Sequence, residues 1–358
     1  MPETTTPEPR QTAVRSAAEV QAKAKHFAAR IEDSIQRRRQ RRRQRRGHVP
    51  TIIPYAGYGS PGWIRVLCRV VYERPRDNGE SRAEQVRGWR SFFSVPVANA
   101  TIEVDVGGTV TELPIDRGGV VDGRVEALLP PGRHLVSLRT VGSEPTTAEI
   151  FVVDPAERFG VISDIDDTVM VTALPRPVLA AWNTFVVDEH ARRPVTGMAV
   201  LYDRIRRQHQ STPFIYLSTG AWNVAPTLRR FLSRNLYPSG PLLLTDWGPT
   251  HDRLFRSGRE HKREQLRRIA GEFPEVRWLL FGDDGQHDED IYGEFVREHP
   301  RNVAAVAIRQ LSAGEAVLAG GRSKAAVRER ESSARWFFGQ NGADLWEQLT
   351  AAGIVAPR

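Results

Sequence analysis

The chain has 358 residues, 40% hydrophobic and 26% charged. That composition is ordinary for a soluble globular protein and leaves room for two or three domains. No apolar run approaches the roughly 20 residues that span a bilayer. The opening MPETTTPEPRQ lacks the apolar stretch of a secretory leader, and a lone cysteine, Cys68, excludes an internal disulfide. The expectation is a cytoplasmic protein. Its formal net charge is +8, and the eight arginines between Arg37 and Arg46 account for all of it.

Residues 1–50 read as a basic tail, partly helical or disordered. Val20, Ala24, Phe27, Ile31 and Ile35 recur at helical spacing and make one apolar stripe before the arginines. An amphipathic helix running into an arginine block suits an anionic membrane surface. It suits the phosphate backbone of nucleic acid as well, and a solvated tail without a partner is the third reading.

From residue 51 to 156 the texture changes to short alternating runs separated by Gly and Pro turns. Strands are predicted at 63–71, 100–106, 123–129, 134–138 and 147–153, which together suggest a small all-β, immunoglobulin-like sandwich. It offers no ligand-spaced His or Cys group and no phosphate loop. Its expected role is a scaffold or a module that binds a protein partner.

Beyond Asp154 and Pro155 strands and helices alternate, as a doubly wound parallel sheet requires. A β-branched run from Phe159 ends in Asp164, Asp166, Asp167 and Thr168. Asp164 and Asp166 are two apart, so an extended backbone turns both toward one crevice. Carboxylates so placed repel unless something neutralises them, and a hard divalent cation such as Mg2+ would do so. A helix within 191–209 follows, then a strand at 213–217 ending in Ser218, Thr219 and Gly220. Next come a helix at 226–235, a strand at 242–246, a basic helix at 261–273 and a strand at 276–281. That strand breaks into Gly282-Asp283-Asp284-Gly285-Gln286-His287-Asp288. Val303 to Ile308 reads as the last strand of this domain, 157–315. In the helical tail, 316–358, Trp336, Phe337 and Phe338 are read as docking onto a domain.

The order Asp164-x-Asp166-x-Thr168, then Ser218, Lys262 and Asp283-Asp284 resembles the four motifs of the haloacid dehalogenase superfamily. The blocks Phe214 to Asn223, Thr245-Asp246-Trp247-Gly248, His261-Lys262 and Phe281 to Asp288 look more specifically like phosphatidate phosphatases of the actin-patch-protein type. The likeness covers about Phe159 to Leu311, and lipins share its logic more distantly. It implies a Rossmann-like haloacid dehalogenase fold and Mg2+-dependent hydrolysis of phosphatidate to diacylglycerol. Asp164 would be the nucleophile and Asp166 the general acid and base. Ser218 would hold phosphoryl oxygens, and Lys262 would bring positive charge. Asp283 and Asp284 would complete the metal site with Asp164 and Asp166, with Asp284 and Asp288 both open as the fourth-motif metal residue. Thr168, Thr219, Gly220, Arg259 and His261 would contact substrate, with Arg253 and Arg256 also near an anionic headgroup. About fifty residues separate the first two motifs, too few for a large cap, which suits a bulky or membrane-borne substrate. The membrane reading makes the protein peripherally associated. Two rivals stand beside it: a phosphatase for nucleic-acid ends or soluble phosphoesters, and a non-catalytic phosphatidate-binding module. The presence of Asp164 and Asp166 argues against the last.

Overall fold

The computed structural model describes residues 38–75, 94–171, 193–209, 211–245, 251–285, 287–318 and 333–357. The apolar stripe Val20–Ile35, most of a charged helix expected at 323–334 in the tail, and the Asp246-Trp247-Gly248 block lie outside them, as do the side chains of Arg253 and Arg256. Residues 38–45 are helical. The sheet that follows comprises β1 (Val49–Pro54), β2 (Gly57–Ser60), β3 (Trp63–Glu73), β4 (Val95–Pro96) and β5 (Thr101–Val106). It continues through β6 (Thr109–Pro114), β7 (Val120–Glu126), β8 (Gly132–Arg139) and β9 (Thr146–Val152). Its hydrogen-bonded order is β1-β3-β2-β9-β8-β5-β6, with β4 and β7 branching from β3, so strand pairing is continuous around one core. Strands β1, β2, β4 and β6 are additions to the sequence reading. Their Pro and Gly content masks the alternation on which that reading relied.

β3 explains how this region meets the rest of the chain. Its even-numbered residues Ile64, Val66, Cys68, Val70 and Tyr72 fill the β region's own core. Its odd-numbered Trp63, Leu67 and Val71 belong to the large cluster formed with the second region. A strand buried on both faces reads as a near-continuous apolar run, which is what residues 63–73 are.

The second region begins with β10 (Phe159–Asp164), β11 (Met170–Val171), β12 (Arg193–Pro194), α1 (Met198–Gln208), β13 (Phe214–Ala221) and α2 (Ala225–Arg234). Then come β14 (Leu242–Thr245), α3 (His251–Glu272), β15 (Arg277–Asp283), α4 (Asp288–Glu298) and β16 (Val303–Arg309). It ends with α5 (Ala313–Leu318), β17 (Trp336–Gly339) and α6 (Gly342–Ala351). A six-stranded sheet of order β14-β13-β10-β15-β16-β17 is parallel at every pairing. The molecule is therefore α/β, with a mixed sheet followed by a parallel one. Helices α1 and α6 pack together, as do α3 and α4.

Two details differ from the sequence reading. The strand at 303–309 is not the last: Trp336, Phe337 and Phe338 sit in β17, parallel to β16, so the tail completes the sheet instead of docking on it. The basic helix begins at His251, ten residues earlier than its apolar stripe suggests. The β11–β12 pair closes the base of the segment between the first two motifs.

Candidate active site

The chain runs from β10 outward to β13 and β14, then returns to β15 on the other side of β10. Ligands of open α/β sheets bind beyond the carboxyl ends of strands at such a reversal. Asp164 closes β10 opposite Leu217, which places it beside Ser218. Ser163 lies opposite Phe281, so Asp283, two residues further, emerges on the other flank. All three strand ends are apolar runs broken by polar residues, and all three are buried.

Lys262 reaches this point from α3. It shares the buried side of that helix with Leu266, Ile269 and Ala270 and is 3% exposed. Its ammonium donates to Asp164 Oδ1 and Asp288 Oδ1, each at 2.6 Å. Ser218 donates to Asp166 Oδ2 at 3.0 Å and accepts from the Gly220 amide at 2.9 Å. The structure thus brings Asp164, Asp166, Ser218, Lys262 and Asp283 to one crevice.

Three carboxylates, Asp164, Asp283 and Asp288, place oxygens within 4.8 Å of one another. Burial, opposed by Lys262 and reinforced by Asp288 and Asp166, raises the Asp164 pKa well above the usual carboxylate range. Burial also raises Asp283, with Asp288 and Asp164 adding to it. The Lys262 pKa is raised as well: burial opposes the charged form, but the two aspartates outweigh it. One ammonium cannot neutralise three carboxylates. Asp283 Oδ2 and Asp288 Oδ2 are buried and have no hydrogen-bond partner. A buried, all-oxygen donor set with uncompensated negative charge and orphaned oxygens fits a hard divalent cation.

Asp284 stands apart from this group. Its Oδ1 accepts from the Leu311 amide at 2.9 Å, and the carboxylate drawn into the cluster is Asp288, at the start of α4. Gly282 permits that approach: a Cβ there would lie 2.9 Å from Asp288 Oδ2 and 2.7 Å from the Tyr292 ring. Thr168 is fully buried, with its hydroxyl unpartnered. Gly220 is buried, whereas Thr219 and Arg259 are exposed. The carbonyls of Thr219 and Gly220 accept from the Thr245 hydroxyl at 2.9 and 3.1 Å. His261 is not drawn into the cluster. Burial lowers its pKa to about 4, partly offset by a hydrogen bond with the Leu243 backbone.

Sequence reasoning missed Arg309 and Tyr237. Both are buried, and they donate to the Asp167 and Val169 carbonyls respectively, each at 2.8 Å. Asp167 lies between them at φ 58°, a left-handed conformation costing about 1–3 kcal/mol in a residue with a side chain. An arginine closing an apolar strand was the available signal for Arg309.

Residues 159–310 match the family model described as phosphatidate phosphatase APP1, catalytic domain. The chain is 24% identical over 245 residues to phosphatidate phosphatase APP1 of Saccharomyces cerevisiae, an alignment covering 63% of this chain and 40% of that protein. An uncharacterized protein of Schizosaccharomyces pombe is 22% identical over 165 residues, 46% of this chain and 27% of its own length. The chain spans less than half the length of these curated relatives. Among solved structures, a carbohydrate acetylesterase from Xanthomonas citri gives a TM-score of 0.36 at 10% identity, covering 85% of this chain and 74% of that one. That likeness is too loose to bear on fold or function. The family match begins with the strand carrying Asp164 and ends just past Arg309, so every residue of the crevice lies within the segment that is similar to the phosphatidate phosphatase APP1 catalytic domain.

Proposed function

We propose that the protein is a Mg2+-dependent phosphatase that hydrolyses phosphatidate to diacylglycerol and phosphate through an aspartyl-phosphate, on a haloacid dehalogenase-type fold. The observation that carries this reading is the buried Asp164, held at 2.6 Å by Lys262 beside the Ser218–Asp166 pair. A carboxylate oxygen of Asp164 attacks phosphorus and the bond to the glycerol oxygen breaks. Asp166, steered by Ser218, protonates that oxygen as it leaves. Water then attacks the aspartyl-phosphate, Asp166 takes its proton, and phosphate leaves with Asp164 restored. Lys262 holds Asp164 in place and offsets charge on the phosphoryl oxygens. When bound by Asp164, Asp283 and Asp288, the divalent ion would supply Lewis-acid stabilisation of the transferring group.

The arginine block supports an anionic membrane as the place of action. Within helical residues 38–45, Gln40 and Gln44 lie one turn apart, and their side-chain amides donate to the Pro96 carbonyl at 3.1 Å and to the Tyr72 hydroxyl at 2.7 Å. Those two residues pin the helix to the β region, leaving Arg38, Arg39, Arg41, Arg42, Arg45 and Arg46 exposed. Each basic residue near an anionic surface contributes about 1 kcal/mol of attraction. No helix among the described residues is long and apolar enough to cross a membrane.

The deciding experiment offers purified protein three substrates, each with and without Mg2+: phosphatidate in mixed micelles, an oligonucleotide with a terminal phosphate, and an aryl phosphate. Phosphatidate should be turned over most efficiently, and only with Mg2+. Preference for the oligonucleotide, or full activity after exhaustive chelation, would overturn the reading.

A further inference from the structure

The fourth motif carries two adjacent aspartates that do different things. Asp283 closes β15 and joins the carboxylate cluster. Asp284 follows it and turns toward β16. Its amide donates to the Arg309 carbonyl at 3.1 Å, and its Oδ1 accepts from the Leu311 amide at 2.9 Å. One side chain and its own backbone thus hold both sides of the chain leaving β16.

Arg309 is the residue so held, and it is 6% exposed. Its Nη1 donates to the Asp167 carbonyl at 2.8 Å, its Nη2 to Glu315 Oε1 at 2.7 Å, and its Nε to the Gln340 carbonyl at 3.4 Å. Glu315 is fixed in turn: its Oε2 accepts from the Ser312 amide at 2.8 Å, and its own amide donates to Ser312 Oγ at 3.3 Å. This reciprocal pair is a capping box at the start of α5. A planar, always-charged fork can span a carbonyl and a carboxylate at once, which an ammonium cannot. The carbonyl it grips belongs to the left-handed residue directly after Asp166. A strained backbone of that kind persists only where its surroundings over-determine it.

We propose that Arg309 is the positioning residue of the Asp164–Asp166 loop, and that Asp284 serves this brace instead of the divalent cation. This rests on the proposed roles of Asp164 and Asp166. Through the Asp167 carbonyl, Arg309 fixes the Asp167–Thr168 peptide, holds Asp167 in its left-handed conformation and so aims the carboxyl of the preceding Asp166. The brace also ties the loop to Glu315, at the expected end of the domain, and to Gln340 in the tail beyond it.

Two measurements on the full chain test it. The first is amide hydrogen exchange of peptides spanning 164–171 in Arg309→Ala and Arg309→Lys. Loss of the brace should accelerate exchange of the Asp167 and Met170 amides about tenfold or more in both variants, whether or not the protein is a phosphatase. Unchanged protection would overturn the proposal, and the lysine variant decides if the alanine variant does not fold. The second is aryl-phosphate kinetics. Arg309→Ala should lower kcat by about 10- to 100-fold, with KM and the Mg2+ half-activation concentration within about twofold. Asp284→Ala should show the same pattern, while Asp283→Ala raises the Mg2+ requirement. Added guanidinium should partly restore Arg309→Ala. An Asp284→Ala protein that needs more Mg2+, as Asp283→Ala does, would refute the assignment. Accelerated exchange without activity in any form, wild type included, would leave the brace standing and remove the phosphatase reading.

Discussion

Replacing Lys262 with methionine isolates what the buried ammonium does. Methionine nearly preserves the stem while removing the charge that two carboxylates share at 2.6 Å. Both partners stay buried, with Asp164 at 2% and Asp288 at 0% exposure. Breaking a buried pair by removing one partner costs about 3–5 kcal/mol, because an uncompensated charge remains. Part of that is recovered when Asp164 takes up a proton, since its pKa is already raised by burial. A loss of about 3 kcal/mol at neutral pH in chelator is therefore expected. Divalent cation should return more stability to the variant than to the wild type, because the same carboxylates then have only the ion to neutralise them. Urea unfolding at pH 7, with EDTA and with Mg2+, reads both quantities. Aryl-phosphate turnover should fall by roughly 100-fold or more, the usual loss when one preorganised electrostatic group is removed. If Lys262→Met unfolds at the wild-type urea concentration in EDTA, the lysine is not neutralising this cluster and the electrostatic account fails.

Asp164→Asn should release no phosphate while unfolding like the wild type, because an amide cannot form the aspartyl-phosphate; substantial turnover by the folded variant, without deamidation, would exclude Asp164 as nucleophile. His261 gives a pH dependence of definite sign. Burial lowers its folded pKa to about 4 from 6.5, so its contribution is complete above pH 6.5 and is lost as pH falls toward 4. That contribution is at most about 3 kcal/mol, less for the partly exposed ring, and urea titrations of His261→Gln should show a flatter stability profile across that window. Gly160 sits against Trp278, where an added Cβ would lie 2.4 Å from the indole. Gly160→Ala should therefore cost about 1–3 kcal/mol by overpacking, and a neutral denaturation midpoint would show that β10 and β15 can part without penalty.

What could be read from the sequence follows the physics of each element. The strands bearing Asp164, Ser218 and Asp283 are buried parallel strands, so their apolar runs stop where the crevice begins, and the stop is visible in the residues. Lys262 was legible only through its place in the order of motifs: taken alone it is one basic residue among Arg259, Arg263, Arg267 and Arg268, and its burial beside Leu266, Ile269 and Ala270 shows only in the fold. Asp283 and Asp284 were harder. Adjacent residues at a strand end face opposite ways, which argues against both joining one cluster, but the partner Asp288 depends on where α4 starts. β17 was hidden for a different reason. It is an edge strand of four residues, and nothing local marks four aromatic-rich residues as a sheet edge.

The β region offered no chemistry in the sequence, yet the structure ties it to the helix that delivers the lysine. Glu272, the last residue of α3, accepts from the Tyr58 hydroxyl at 2.8 Å and from Arg65 Nε and Nη2 at 3.0 and 2.5 Å. Arg268, one turn earlier, donates to Asp122 at 2.7 Å, and Asp122 also accepts from Arg65 at 2.8 Å. On its other side α3 is joined to α4 through Arg263 and Arg267, which donate to Glu294 at 2.8 Å, with Arg267 also reaching Glu298. These pairs hold α3 against β3 on one flank and against the helix that opens with Asp288 on the other. Lys262 projects from the same helix toward Asp164, so its place is fixed by contacts from both regions. Tyr55 stacks on Trp222 at 5.0 Å between ring centroids, and its hydroxyl donates to the Trp222 carbonyl at 3.1 Å. That adds a second joint just past the strand bearing Ser218. A β region that shares the large core through Trp63, Leu67 and Val71, and grips two site-bearing elements, braces the helix that carries Lys262.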